Sequence, residues 1–360
     1  MVLFSRRARA ATPLDDVDVV LADLDGVVYA GAGALPWAVE SLTALGDRRL
    51  GFITNNASRT DASVAAHLRE LGIPAAPDDI VTSPQAATRL LRERVEPGAT
   101  ILVVGGEGLV VELEKAGFVV TRSADDAPAA VVQGFAPDVG WAQLAEAAFA
   151  LKVPEDEGGI PWIATNTDWT IPQARGIAPG NGTLVSAVHT AVGRLATVAG
   201  KPETPIFEEA VARFGAQHPL FIGDRLDTDI LGACRAGIAS ALVLTGIDRP
   251  KHVLAAPAGS QPTYILGDLR ELAEPYPEAV TRDAVTEVRG ARVRIDGPDV
   301  TILAEGERPI DLLRAGAAAI WGTGRAIFGF RVPERLYADP FHRPRSRAPS
   351  TRPPVMAGRP

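Results

Sequence analysis

The sequence predicts an α/β fold on a parallel sheet, and three observations predict it. Short apolar runs alternate with stretches of helical period along most of the chain. The runs are continuously apolar rather than alternating, as in strands buried on both faces. Several of them end in acids, amides or a lysine, and open parallel sheets bind ligands outside the carboxyl ends of their strands.

The elements follow in order. Residues 1–15 carry no periodicity and read as a disordered tail. Residues 17–22 form an apolar run ending at Asp23 and Asp25, and residues 50–53 form another ending at Thr54, Asn55 and Asn56. Helical period appears between them at 36–46 and after them at 61–72, where Gly72 is a stop. Residues 85–96 read as helix, and 101–104, 118–120, 129–132 and 162–164 as strands, with a helix at 140–152. Gly105-Gly106-Glu107-Gly108 lacks a G-x-G-x-x-G pattern and reads as a turn. A helix at 183–195 precedes a short strand at 196–199 that ends in Gly200-Lys201-Pro202. After a helix at 204–214, a strand at 219–222 ends in Gly223-Asp224, with a short helix at 228–237. Strands at 240–244 and 264–266 close this part. Beyond about 283 the character changes to a hairpin around Gly297-Pro298 and an amphipathic helix at 308–321. Residues 340–360 are rich in Pro, Arg and Ser and read as a second disordered tail.

With 46% hydrophobic residues, the chain of 360 can bury a sizeable core. Its formal net charge of −8 argues against a nucleic-acid partner, which would call for a basic face. No apolar run is long enough to predict a membrane span. Cys234 is the one cysteine, so no internal disulfide forms, and a reducing, cytoplasmic location is expected. The five histidines have no metal-like spacing.

The strand ends carry the chemistry. If four segments converge on one crevice, they bring Asp23, Asp25, Asp224 and Asp229 together with Lys201, Thr54, Asn55 and Asn56. Taken singly, each has an ordinary reading. Asp-x-Asp-Gly is turn chemistry, Thr54-Asn55-Asn56 a helix cap, Lys201 a solvated lysine, and Asp229 the charge at a helix start. Together they suit attack on a phosphate monoester. Hard oxygen ligands hold Mg²⁺, a carboxylate serves as nucleophile, and an ammonium and a hydroxyl hold the transferring group.

These segments, Asp23-Leu24-Asp25-Gly26, Ile53-Thr54-Asn55-Asn56, Gly200-Lys201-Pro202 and Gly223-Asp224-Arg225-Leu226-Asp227-Thr228-Asp229, resemble in order the four motifs of the haloacid dehalogenase-like (HAD) hydrolases. The Thr-Asn-Asn run and the long insertion before the lysine resemble class IIA members. The resemblance spans residues 17–275. It implies Asp23 as nucleophile and metal ligand, and Asp25 as general acid and base whose carbonyl also meets the metal. It implies Asp224 as a further Mg²⁺ ligand, Thr54, Asn55, Asn56 and Lys201 as phosphate-binding residues, and Asp229 as the orienting acid behind them.

The same resemblance implies a Rossmann-like core at 16–84 and 184–278, and an inserted α/β cap of the class IIA (C2) type at 85–183. The cap is expected to set specificity through Asn166, Asp168 and Arg175. Residues 279–339 resemble the small acetyltransferase-like (GNAT-like) piece found on some actinobacterial class IIA glycerol-3-phosphate phosphatases. The expected substrate is a small phosphorylated metabolite, glycerol 3-phosphate first, then phosphoglycolate, pyridoxal phosphate or a nucleotide. A homodimer is expected through the cap. The rivals are a catalytically silent binding protein on the same fold and an acetyltransferase using the C-terminal segment. Trp37 stands where the family commonly has glycine, and is expected to narrow the crevice or to pack.

Overall fold

The computed structural model describes residues 11–173 and 175–338. The tail expected at 1–15 is ordered at its inner end: Tyr276 donates its amide to the Ala11 carbonyl, and the Arg48 guanidinium donates to the carbonyl of buried Leu14. The remainder of that stretch, and the tail expected at 340–360, lie outside the described residues.

A six-stranded parallel sheet forms the first layer, in the order Tyr264–Leu266, Ala239–Val243, Pro219–Gly223, Val19–Ala22, Arg49–Thr54, Ile80–Thr82. Its central strand is buried throughout because both faces are covered. Val20 and Ala22 point into one apolar cluster with Phe52, Leu220 and Ile222; Val19 and Leu21 point into another with Ile53, Phe207 and Phe221. The register sets Ala22 level with Ile222 on one side and Phe52 on the other. Asp23, Asp224 and Thr54 therefore leave the sheet at nearly one height, on either side of the point where strand order reverses.

A second parallel sheet has the order Thr197–Val198, Trp162–Ala164, Ala130–Gln133, Thr100–Val104, Val119–Thr121. This corrects the expected return to the first sheet at 184. Helix Asn181–Val192 buries Val185 and Val188 against Leu102, Val131 and Trp162 of the second sheet. The strand before Lys201 also pairs there, with Ile163 and Ala164. Lys201 thus reaches the crevice from the second sheet and the acids from the first.

The two sheets share an apolar core. Helix Ser83–Arg92, begun by a Thr82–Gln85 capping box, buries Ala86, Ala87 and Leu91 among residues of both. Gly105-Gly106 is followed by a helix, Glu107–Lys115, that the turn reading missed.

The C-terminal segment is a four-stranded antiparallel sheet, Val280–Arg282, Val285–Val288, Ala291–Asp296 and Asp299–Glu305, with helix Pro309–Trp321 packed across it. The expected hairpin and helix are its second half; its first two strands are too short and polar to read from the sequence. Trp37 is the N-cap of helix Ala38–Thr43 and adopts φ of 67°, a left-handed backbone that favours glycine. Its ring stacks on Arg270 with the guanidinium 4.6 Å from the ring centre, so it packs.

Candidate active site

The crevice is built by backbone turns at strand ends. Asp23 is fixed by its amide, which donates to the Ile222 carbonyl at 2.8 Å. The chain then turns through Gly26, at φ of 84°, whose amide donates to the Tyr29 carbonyl. A Cβ at Gly26 or at Gly246 would overlap the Asp224 carboxylate, so both glycines are required by close approach.

Lys201 sits between two acids. Its Nζ lies 2.6 Å from Asp23 Oδ1 and 2.7 Å from Asp229 Oδ1, and all three residues are buried. Asp229 also accepts the amides of Asp224 and Arg225 at 3.0 and 3.1 Å. It comes from a single π-helical turn, Leu226–Ile230, that begins the short helix Leu231–Arg235. Asp224 accepts the Ile247 amide at 2.6 Å through Oδ2, while its buried Oδ1 has no hydrogen-bond partner among the described residues.

Burial pushes the Asp23 carboxyl up to about 7; Lys201 pulls it down and Asp229 pushes it further up. Asp224 is held well above the ordinary carboxylate range by burial and by the charges of Asp229 and Asp23. Burial alone would lower Lys201, but Asp229 and Asp23 outweigh it and hold the ammonium above its ordinary value. Asp25 opens into the crevice, and enclosure raises its carboxyl against the pull of Lys201, Arg59 and His67.

Oxygen atoms of Asp23, Asp224 and Asp229 lie within 4.8 Å of one another. Gathering three carboxyl groups around one ammonium in a buried place makes their full ionisation costly without a further positive charge. A divalent cation held by Asp23 and the Asp224 Oδ1 would supply that charge. The donors are all oxygens, which suits Mg²⁺. Asp229 is already engaged by Lys201 and orients it.

Asn55 ties the two sheets together. Its Nδ2 donates to Asp168 at 3.1 Å and to the Lys201 carbonyl at 3.0 Å, and its Oδ1 accepts the Lys201 amide at 2.8 Å. Its own carbonyl accepts from Ser83 Oγ and Asn166 Nδ2, both at 2.8 Å. Asp168 is thereby placed at the crevice, where burial raises its carboxyl against the Asn55 hydrogen bond and the charge of Lys201.

Several expectations need correction. The Asn56 side-chain oxygen closes its own turn, accepting the Ser58 amide and hydroxyl. Thr54 is buried at the strand end, with its Oγ1 accepting the Asn56 amide at 3.1 Å. Asn166 is not a substrate contact: Nδ2 is held by Asn55, and Oδ1 accepts the Asp168 amide. Arg175 lies exposed in the turn between strands Thr170–Gln173 and Gly176–Pro179, with no ion pair to the crevice among the described residues.

Two groups escaped the sequence reading. Thr245 Oγ1 donates to the Gly26 carbonyl at 2.7 Å, and Asp248 accepts the Leu226 amide at 2.5 Å. Both follow strand Ala239–Val243, a further strand end whose polar residues were the available signal.

Comparison with known proteins agrees with this geometry. A family model described as haloacid dehalogenase-like hydrolase matches residues 20–119, and a second, HAD-hydrolase-like model matches 198–272. The D-glycerol 3-phosphate phosphatase of Mycobacterium tuberculosis is 42% identical, covering 84% of this chain and 86% of that protein. The crystal structure of a glycerol phosphate phosphatase from that organism in complex with magnesium superposes with a TM-score of 0.79 at 40% identity, covering 87% of this chain and 93% of that one. A glycerol-3-phosphate phosphatase of Gallus gallus is 35% identical over 73% of this chain and 93% of its own. Asp23, Asp25 and Thr54 fall within the first matched stretch, and Lys201, Asp224 and Asp229 within the second. The chain belongs to the haloacid dehalogenase-like hydrolases, and its α/β insertion between Thr54 and Lys201 is that of their class IIA.

Proposed function

We propose that this chain is a Mg²⁺-dependent phosphatase of small phosphate monoesters, with glycerol 3-phosphate as its first substrate and Asp23 as its nucleophile. The observation that carries the reading is Lys201 Nζ, 2.6 Å from Asp23 and 2.7 Å from Asp229, beside the free oxygen of Asp224. The substrate follows the names of the similar phosphatases.

Asp23 and Asp224 would hold the metal, together with the Asp25 carbonyl. When bound, the cation neutralises charge on the phosphoryl oxygens and on Asp23. An Asp23 carboxylate oxygen attacks phosphorus, the ester P–O bond breaks, and the leaving alkoxide takes the proton of Asp25. This gives an aspartyl-phosphate and an ionised Asp25. Asp25 then takes a proton from water, whose oxygen attacks phosphorus and releases inorganic phosphate and the Asp23 carboxylate. Lys201 and the Thr54 hydroxyl hold the phosphoryl oxygens through both steps. The raised carboxyl of Asp25 suits its part as acid.

Asp168 stands where a hydroxyl of the leaving group would be recognised, and Arg175 joins it only for substrates long enough to reach the hairpin. Helix Trp141–Ala150 exposes Trp141 and Phe149, roughly two turns apart on one face, and this face is our homodimer contact. Among the described residues no helix is long and apolar enough to cross a membrane. We assign the chain to the reducing cytoplasm, which suits its single cysteine.

The test is phosphate release from a panel of phosphorylated metabolites, with and without EDTA, for the wild type and Asp23→Asn. Glycerol 3-phosphate should be the fastest, and EDTA or the substitution should stop release. Turnover by a folded Asp23→Asn protein refutes the mechanism. Phosphoglycolate, pyridoxal phosphate or a nucleotide as fastest ester replaces the substrate. No release from any ester favours the silent binding protein.

A further inference from the structure

The C-terminal sheet and helix lie beyond the stretches matched by the family models, which end at residue 272. Their apolar face is continuous with the back of the crevice. Val288, Val293, Val300, Ile310, Leu312 and Leu313 are buried in one cluster with Leu226 and Ile230, the two ends of the turn that carries Asp229, and with Val253 and Leu254. Helix Pro309–Trp321 packs against helix Pro250–Ala255, and Trp321 Nε1 donates to the Val253 carbonyl at 3.2 Å.

Helix Pro250–Ala255 is the far anchor of the loop that holds Asp224. That loop makes three hydrogen bonds to the turn carrying Asp224. Asp248 Oδ2 accepts the Leu226 amide at 2.5 Å, the Asp248 amide donates to the Asp224 carbonyl at 3.1 Å, and the Ile247 amide donates to Asp224 Oδ2 at 2.6 Å. Asp248 Oδ1 lies 2.8 Å from His252 Nδ1, in the first turn of that helix. The turn at Asp224 is thus gripped from a loop whose outer end rests on the C-terminal unit.

We propose that the C-terminal unit is a brace for the metal-binding turn, with Asp248 as the positioning residue through which it acts. The inference rests on the reading of Asp224 as a Mg²⁺ ligand. Without the brace the Asp224 turn relaxes, its free Oδ1 loses its aim, and Mg²⁺ binds more weakly. Partners that orient metal ligands typically change affinity ~10–100-fold when removed.

Calorimetric titration of the full chain with Mg²⁺ alone tests this, beside thermal unfolding of the same samples. Asp248→Ala should weaken Mg²⁺ binding about tenfold or more. Asp248→Asn, which keeps an acceptor oxygen, should restore most of the loss. Ile310→Ala, which changes only the brace, should weaken binding in the same direction. If that protein does not fold, Trp321→Phe, which removes the indole N–H donor and keeps a smaller aromatic ring, takes its place. Wild-type affinity in Asp248→Ala or in the folded brace variant, even with a lowered melting temperature, makes the unit a purely structural addition and overturns the proposal. Asp224→Asn separates the two readings. If it binds Mg²⁺ like the wild type, the site assignment itself fails. If it binds none while Asp248→Ala binds normally, only the brace fails.

Discussion

Asp23 shows how a buried acid links catalysis to stability. Its carboxyl is pushed up to about 7 from an ordinary 3.8, chiefly by burial. A raised folded-state value means that the fold binds this proton more tightly than the unfolded chain. The resulting stabilisation is complete below 3.8 and is lost as pH rises through about 7. In EDTA, the melting temperature should therefore fall across that window. Asp23→Asn, neutral at every pH, should melt a few degrees above the wild type at about pH 8 and equal to it at about pH 4. Calorimetric scans at both pH values check this, and an equal shift at both refutes the assignment. Asn55 acts by geometry. It satisfies both the amide and the carbonyl of Lys201 and holds Asp168. Asn55→Ala should cut kcat/KM about 10²-fold, the scale of a misplacement near 1 Å, and also lower the melting temperature, because the buried Lys201 amide and carbonyl lose their partner. Steady-state kinetics beside a melting curve separates the two effects.

At the scale of elements, the crevice depends on how the second sheet seats on the first. Helix Glu107–Lys115 meets the turn after Asn56 through small residues. A Cβ at Gly108 would lie 2.8 Å from the Arg59 carbonyl oxygen and 3.0 Å from that of Ala57, both backbone atoms that cannot yield cheaply. Gly108→Ala, ordinarily favourable inside a helix, should here lower the melting temperature. It should also reduce kcat, because the displaced turn continues from Asn55. A raised melting temperature with unchanged kcat would show that the seat is loose. The expected boundary at 184 failed for a related reason. Helix Asn181–Val192 has no periodic feature that tells which sheet it will cover, and only its packing on Trp162 decides that.

At the scale of the molecule, the three larger sheets are held by apolar clusters that cross their boundaries. A buried polar junction also secures the C-terminal unit. Buried Arg314 donates to the Ile265 carbonyl on the edge strand of the first sheet and pairs with Glu271 at 2.5 Å and Asp311 at 2.8 Å. Arg308 pairs with Glu271 and Glu274. Removing one partner of a buried ion network strands the others without solvent, at a cost of ~3–5 kcal/mol. Arg314→Ala should lose stability on that scale in chemical denaturation. A loss under about 1 kcal/mol would mean that the junction is solvated.

The parallel α/β class, most strands of the two parallel sheets, and the strand-end positions of Asp23, Asp25, Thr54, Lys201 and Asp224, with Asp229 just beyond, are legible in the amino-acid order alone. Those elements follow from local rules: strands buried on two faces must be continuously apolar, and polar residues at their carboxyl ends have nowhere to go but the crevice. Only packing settles which sheet carries Lys201, that the Asn56 oxygen closes its own turn, and that Asn166 reaches across to the Asn55 carbonyl. It alone placed Asn55 as the tie between sheets and Asp248 behind Asp224. These roles depend on which partner occupies a hydrogen bond between residues up to 146 positions apart. No local propensity encodes such a pairing; packing fixes it when the sheets meet.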